Sequence, residues 1–311
     1  MTLSVTDVSR AVILRASESR SLREVVSRVG MRAGASRFVA GETLDDAVVV
    51  LRRLNGQGLL ANTTLLGEGI HDAAEADAVA AAYEQVLDRI AAEGLRVTVA
   101  LKLTHLGLEI DEELARRNLD RLVERAAGHG NFIRIDMEQS AFVDATLRIF
   151  RALREAGRDN VGAVLQAYLY RSERDLADLL PLAPNLRFVK GAYLEPPELA
   201  YPRKADVDAA YARLVETSLA AGAGFTAVAT HDERLLEHAI RFAGQHAVER
   251  DRFELQMLYG VRPQLQLALA RRGLAVRVAT PYGPEWYPYL MRRLGERPAN
   301  LLFLLRNLLR G

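Results

Sequence analysis

The sequence predicts an α/β fold: a (β/α)8 TIM-like barrel with additional N-terminal helices and a C-terminal helix. Three observations carry that prediction. Short β-branched or apolar runs alternate with longer segments of helical period along the whole chain. There are eight such runs, and their starts fall roughly 20–40 residues apart, the spacing that βα units need. Polar, chemically capable residues follow nearly every run, while the run interiors read as apolar. In a closed barrel such strand ends converge on one face, whereas an open doubly wound sheet gathers them at one switch point. A length of 311 residues suits a barrel of roughly 250 residues with additions. No repeat or linker interrupts the alternation, so residues 1–311 are expected to form one domain. N-terminal helices would occupy 1–57, and the barrel with its final helices 58–311.

The elements follow in order. Residues 1–40 are rich in Arg and Ser but carry Asp7, Glu18 and Glu24, which favours an amphipathic helix over a transit peptide. Thr43 with Asp46 reads as a capping box before the apolar run 47–54. The expected strands are 59–65, 96–103, 132–137, 161–169, 186–189, Phe225–Ala229, Phe253–Leu258 and 275–280. Ala73–Ala92 and 114–127 place apolar residues at threes and fours, with charges between, and read as helices. A last helix is expected to begin near Pro288, which the first turn tolerates.

Composition removes whole classes of function. With 41 basic and 40 acidic side chains the net charge is +1, which leaves no footprint for nucleic acid. The absence of cysteine excludes disulfides, thiolate metal sites, a thiol nucleophile and a thiol-linked cofactor. No apolar stretch is long enough to span a bilayer and no secretory h-region opens the chain, so a cytoplasmic protein is expected. Gly222-Ala-Gly224-Phe-Thr-Ala227 spells a dinucleotide fingerprint. It ends a helix and enters a strand, the reverse of what that motif requires, and reads as a helix C-cap. No P-loop, no H-E-x-x-H and no G-x-S-x-G elbow occurs, and no metal is expected. Lysine occurs only at Lys102, Lys190 and Lys204, so arginine supplies the rest of the basic residues.

Three places carry candidate chemistry. Lys102 ends an apolar strand, where an ammonium needs a carboxylate or an anionic ligand. Asp136, at the end of the next strand, is the expected partner, with a structural ion pair the equal alternative. Phe188-Val-Lys190-Gly191-Ala-Tyr193 closes the fifth strand. Its glycine permits close approach, and Arg187 and Lys190 bring positive charge toward a phosphate or an electron-rich ring. In the last helix Tyr289, Arg292, Arg293 and Glu296 stand at i, i+3, i+4 and i+7 and share one face. Adjacent arginines there suit a carboxylate; a solvated charged face is the alternative.

These residues resemble the proline dehydrogenase family. The resemblance rests on Phe38-Val-Ala-Gly-Glu42, Leu65-Leu-Gly-Glu68, Leu101-Lys102-Leu103, Arg134-Ile-Asp136-Met-Glu138, Val164-Leu-Gln166-Ala-Tyr168, Arg187-Phe-Val-Lys190-Gly-Ala-Tyr193, Ala229-Thr230-His231-Asp232, Phe253-Glu-Leu-Gln256-Met-Leu258-Tyr-Gly260, and Pro281-Tyr-Gly283 through Arg292-Arg293 to Pro298. They stand in the family's order from residue 38 onward. The resemblance implies a monofunctional, flavin-dependent oxidoreductase with non-covalent FAD and no Rossmann domain. It would take hydride from C5 of L-proline to flavin N5, giving Δ1-pyrroline-5-carboxylate. It implies that Arg292 and Arg293 bind the substrate carboxylate, and that Tyr193, Leu258 and Tyr289 wall the ring. Lys102 and Asp136 would line the pocket, with Arg187 near flavin N5. Asp136, Met137, Gln166, Arg187, Val189, Lys190, Gly191, Ala192, Thr230, His231 and Glu296 would contact FAD. Glu68 would close on Arg292 as a gate.

Electrons would pass to a membrane quinone, with peripheral inner-membrane contact, and the product would feed a pyrroline-5-carboxylate dehydrogenase. Two positions depart from the family's pattern: Ala279 stands where tyrosine is usual, and Thr64 where aspartate is. Hydroxyproline as substrate, a methylenetetrahydrofolate reductase-like FAD barrel, and a non-catalytic barrel remain as alternatives.

Overall fold

Eight parallel strands close into a barrel in the computed structural model, which describes residues 35–67, 69–222 and 224–296, with side chains through residue 291. Helices expected in residues 1–34 lie outside the described residues. The strands are β1 (Leu60–Leu65), β2 (Val97–Leu101), β3 (Ile133–Ile135), β4 (Val161–Gln166), β5 (Asn185–Val189), β6 (Phe225–Ala229), β7 (Phe253–Leu258) and β8 (Val276–Tyr282). Each pairs with its sequence neighbour, and β8 returns to β1, with Leu60 opposite Arg277 and Leu65 opposite Tyr282. The expected closed barrel is therefore the fold observed.

The helices are α1 (Leu44–Gly56), α2 (Ala73–Ala92), α3 (Glu112–Gly128), α4 (Ser140–Glu155), α5 (Ser172–Leu179), α6 (Lys204–Ala221), α7 (Glu233–Gln245), α8 (Pro263–Arg271) and α9 (Trp286–Glu296). α1 opens on the capping box: the Asp46 N–H donates to Thr43 Oγ1 at 3.2 Å, and the Thr43 N–H donates to Asp46 Oδ2 at 3.1 Å. α6 ends at Gly222 with φ 65°, the left-handed cap that its glycine allows. The glycine-rich stretch is thus a helix stop. α9 begins two residues before Pro288, leaving that proline within the first turn.

Alternation along the strands sorts two environments. On β2, Val97, Val99 and Leu101 are buried in the core between sheet and helices, so Thr98, Ala100 and the following Lys102 face the lumen. The lumen corrects the expectation of apolar strand interiors. Arg134, Arg187, Glu254 and Gln256 are all buried, and Arg277 Nε donates to Glu254 Oε1 at 2.7 Å. Burial pulls the Arg134 pKa down, and Arg187, Glu254, Arg277 and Asp136 act on it electrostatically. Only a shared lumen brings charges from β3, β5, β7 and β8 together. Arg134 donates to Ala163 O at 2.9 Å and Asn185 O at 2.6 Å. Its guanidinium fills the space beside Gly162, where a Cβ would collide with it. A period-2 pattern marks which residues alternate, but not which set faces inward.

A second, smaller core fixes the last helix. Phe38 and Val39 pack with Trp286, Tyr287 and Leu290. The Trp286 indole N–H donates to Glu42 Oε1 at 2.8 Å. The Ala40 N–H donates to Pro281 O at 2.8 Å and the Gly283 N–H to Gly41 O at 3.0 Å. The Phe38–Glu42 motif therefore seats α9 over the barrel mouth.

Candidate active site

The C-terminal mouth of the barrel holds a cleft of two connected lobes, with cavity volumes of about 180 Å³ and 410 Å³. Lys102, Asp136, Arg187, Ala192, Tyr193, Leu258 and Ala279 line both. Tyr289 lines the smaller lobe only. Met137, Gln166, Val189, Lys190, Gly191, Thr230 and His231 line the larger one. Side chains expected at the ends of six strands, β2 through β7, thus converge on one cleft. Glu68 lies outside the described residues, as do the side chains of Arg292, Arg293 and Glu296. These three stand on α9 three, four and seven residues beyond Tyr289.

An ion pair stands where the lobes join. Arg187 Nη1 donates to Asp136 Oδ1 at 2.5 Å, with the two side chains 10% and 29% exposed. The expected partner of Asp136 was Lys102 on the neighbouring strand. An arginine on β5 reaches across the lumen instead, because its guanidinium arm spans the gap and its fork fits a carboxylate. The Lys102 charge acts on Glu138. Burial pushes the Glu138 carboxyl up; the Thr104 hydroxyl, the Lys102 charge and the Thr104 N–H pull the other way. Thr104 donates from its hydroxyl at 2.6 Å and its N–H at 3.1 Å. Gln166 Nε2 donates to Glu138 O at 2.9 Å, which leaves its carboxamide oxygen for the larger lobe.

The segment after β5 is held from several sides. Gly191 has φ 117°, and a Cβ there would collide with the Tyr168 ring. The Tyr168 N–H donates to Lys190 O at 2.8 Å, and the Tyr201 N–H to Tyr168 O at 2.7 Å. Glu195 accepts from the Ser140 N–H at 2.7 Å and hydroxyl at 2.6 Å, capping α4. The ammonium of Lys190 is engaged by Asp208 at 2.5 Å and Asp232 at 3.3 Å. Lys204 and Arg234 contact the same two carboxylates. Lys190 lines the lobe as part of this charge cluster, a setting its strand-end position did not reveal.

His231 Nε2 accepts from the Leu258 N–H at 2.9 Å, and Arg262 donates to the His231 carbonyl at 3.0 Å. Accepting at Nε2 requires the neutral ring with the proton on Nδ1. The histidine so ties a wall of the smaller lobe to the floor of the larger one. Asn62, Tyr83, His105, Thr280 and Glu285 line the smaller lobe without belonging to any predicted site, and Gln256, present in the seventh-strand motif without a role, lines the larger. Parity on β1 and β7 assigns Asn62 and Gln256 to the lumen only once barrel closure shows which alternate set faces inward. His105 belongs to no spacing motif; it packs edge-on against Tyr83 at 6.2 Å between ring centroids.

Two buried polar atoms in this cleft have no hydrogen-bond partner among the described residues: Arg187 Nε and Asn62 Oδ1. The orphaned guanidinium donor fits a cofactor that presents an acceptor at the lobe junction.

Comparison with known proteins converges on one family. The profile of the family described as Proline dehydrogenase matches residues 47–306. Proline dehydrogenase of Deinococcus radiodurans is 44% identical over 306 residues, covering 97% of this chain and 98% of that protein. Proline dehydrogenase 1 of Bacillus subtilis is 40% identical, covering 97% of this chain and 99% of its own length. Among solved structures, proline utilization A from Bdellovibrio bacteriovorus, inactivated by N-propargylglycine, superposes with a TM-score of 0.80. At 24% identity that likeness concerns the fold; it covers 94% of this chain and 35% of the larger one.

Proposed function

The chain belongs to the proline dehydrogenase family, and from that premise we propose that it oxidises L-proline to Δ1-pyrroline-5-carboxylate with non-covalently bound FAD. The observation that carries this reading is the Asp136–Arg187 pair at the junction of the two lobes. Tyr289 in the smaller lobe, with Tyr193 and Leu258 at the junction, suits a small apolar ring. In the larger lobe stand Gln166, Thr230 and His231 with Met137 and Val189, which suit a large polar cofactor.

FAD would supply the two-electron acceptor, taking hydride from C5 of the ring at its N5. The chain's own residues do the rest. Arg292 and Arg293 on α9 hold the substrate carboxylate, which turns a loose encounter into a fixed approach. Tyr193, Leu258 and Tyr289 exclude water from the ring and press it against the cofactor. Arg187, kept in place by Asp136, would offer its partnerless Nε–H to the cofactor, and its positive charge would favour added negative charge there. Gln166, Lys190, Gly191, Ala192, Thr230, His231 and Glu296 hold the remainder of FAD. Glu68 closes the mouth against Arg292. A membrane quinone takes the electrons, and a pyrroline-5-carboxylate dehydrogenase consumes the product. Contact with the quinone is peripheral in this reading; among the described residues no helix is long and apolar enough to cross a membrane.

The visible spectrum tests the reading. Purified protein is expected to be yellow and to bleach anaerobically on addition of L-proline. Colourless protein that takes up no FAD would overturn the proposal, and bleaching by NADH alone would point to a folate-reductase-like barrel.

Lysine substitutions test the substrate lobe separately. Lys102→Arg puts a longer, planar group into a lobe of about 180 Å³ and is expected to lower kcat/KM for proline by about tenfold or more. Lys204 is exposed and its ion pairs survive an arginine, so Lys204→Arg is expected to leave kcat/KM unchanged. Equal steady-state activities of the two variants would remove Lys102 from the site.

A further inference from the structure

We propose that Asn62 binds the ring nitrogen of the substrate, its carboxamide oxygen accepting the amine N–H; this rests on the proline-oxidising reading above. Asn62 is 2% exposed, lines the smaller lobe, and its Oδ1 accepts no hydrogen bond from any described residue. A buried acceptor left without a donor is costly, and in a substrate lobe the missing donor is most simply the ligand.

The surroundings explain why no protein group serves it. The Cα partners of Asn62 are Thr98 on β2 and Ala279 on β8. Ala279 brings only a methyl group. Thr98 Oγ1 faces Arg277, whose Nη1 donates to it at 3.3 Å. The hydroxyls of Thr63 and Thr280 donate to the Thr280 and Val278 carbonyls, each at 3.0 Å. The end of an asparagine side chain turns on a soft torsion, so the amide can present its oxygen to the lobe.

Charge points the same way. Lys102 and Arg187 line the lobe with positive charge and repel the substrate's ammonium end. The carboxylate of Asp136 is already engaged by Arg187 at 2.5 Å, and Glu285 is exposed. A neutral buried acceptor at Asn62 serves the nitrogen before and after oxidation. When the ammonium has given one proton to water and C5 has given hydride to the flavin, one N–H remains on the C=N nitrogen, so the same bond can persist to the product.

The test crosses the side chain with the ligand. L-Proline is compared with tetrahydrofuran-2-carboxylate, in which oxygen replaces the ring N–H. Asn62→Leu is expected to raise the proline dissociation constant, read from flavin absorbance, by about 10- to 100-fold. Inhibition by the furan analogue is expected to change less than twofold, with FAD content and Tm as in the parent. Asn62→Asp, which keeps an acceptor, is expected to restore proline binding. Equal weakening of both ligands would assign Asn62 a structural or water-holding role and overturn the proposal. No change for either would overturn it too, and so would selective loss of 4-hydroxyproline turnover with proline untouched. Should Asn62→Leu not fold, Asn62→Ala carries the same comparison. Parent protein without FAD would sink the underlying reading instead, an outcome visible before any variant is made.

Discussion

Arg187→Met is expected to slow flavin reduction by L-proline by about 100- to 1,000-fold while leaving the barrel folded. Methionine keeps much of the arginine stem's packing and removes the guanidinium. The substitution breaks the 2.5 Å bond to Asp136 and removes the orphaned Nε–H proposed to face the cofactor. Truncating one partner of a largely buried charge pair costs about 2–5 kcal/mol, much of it from the charge left behind. That range, applied at a reacting centre, gives the expected loss of rate. Anaerobic stopped-flow measurement of the 450 nm band reads it directly. The companion variant Asp136→Asn/Arg187→Met carries no stranded carboxylate, so it is expected to recover thermal stability without recovering rate. Reduction of Arg187→Met at the parent rate would remove Arg187 from the chemistry.

Gly191→Ala is expected to cost both stability and cofactor retention. At φ 117° an alanine is strained by about 1–3 kcal/mol before any contact is counted. Its Cβ would also meet the Tyr168 ring, and that ring cannot withdraw easily. The Tyr168 backbone is bonded to Lys190 and Tyr201, and its side chain is buried. Either the tyrosine or the segment carrying Ala192 and Tyr193 must move, and that segment lines the lobe proposed for FAD. A Tm lower by about 5 °C or more and a reduced ratio of 450 nm to 280 nm absorbance are the expected results. Unchanged values of both would show that this turn does not shape the lobe.

The strand and helix order was legible because each element carries its own local signal. The run at Phe253–Leu258 needs no partner to be recognised. The Thr43–Asp46 box closes within four residues and so declares where α1 begins. Lys102, Asp136, Lys190 and Thr230 were legible as site candidates for a related reason: polar groups directly after apolar strands gather at one barrel mouth. The pairing inside that mouth was not legible. Asp136 and Arg187 are 51 residues apart, and neighbouring strands suggested Lys102 as the better partner. The length of the arginine arm across a closed lumen decided otherwise.

Asn62 shows the same boundary more sharply. In the sequence it is one polar residue in the run LANTTL, with nothing to say which face it takes. Its meaning depends on β8 returning beside β1, where Ala279 stands opposite it, and the two residues are remote in the chain. The sequence by itself determined the kinds and order of the elements and the chemistry available at the strand ends, because propensity, periodicity and capping act over a few residues. The tertiary structure alone decided which charges meet, which polar atoms stay unpartnered and how the cleft divides. Those depend on barrel closure, strand register and side-chain reach, and no local stretch of chain encodes them.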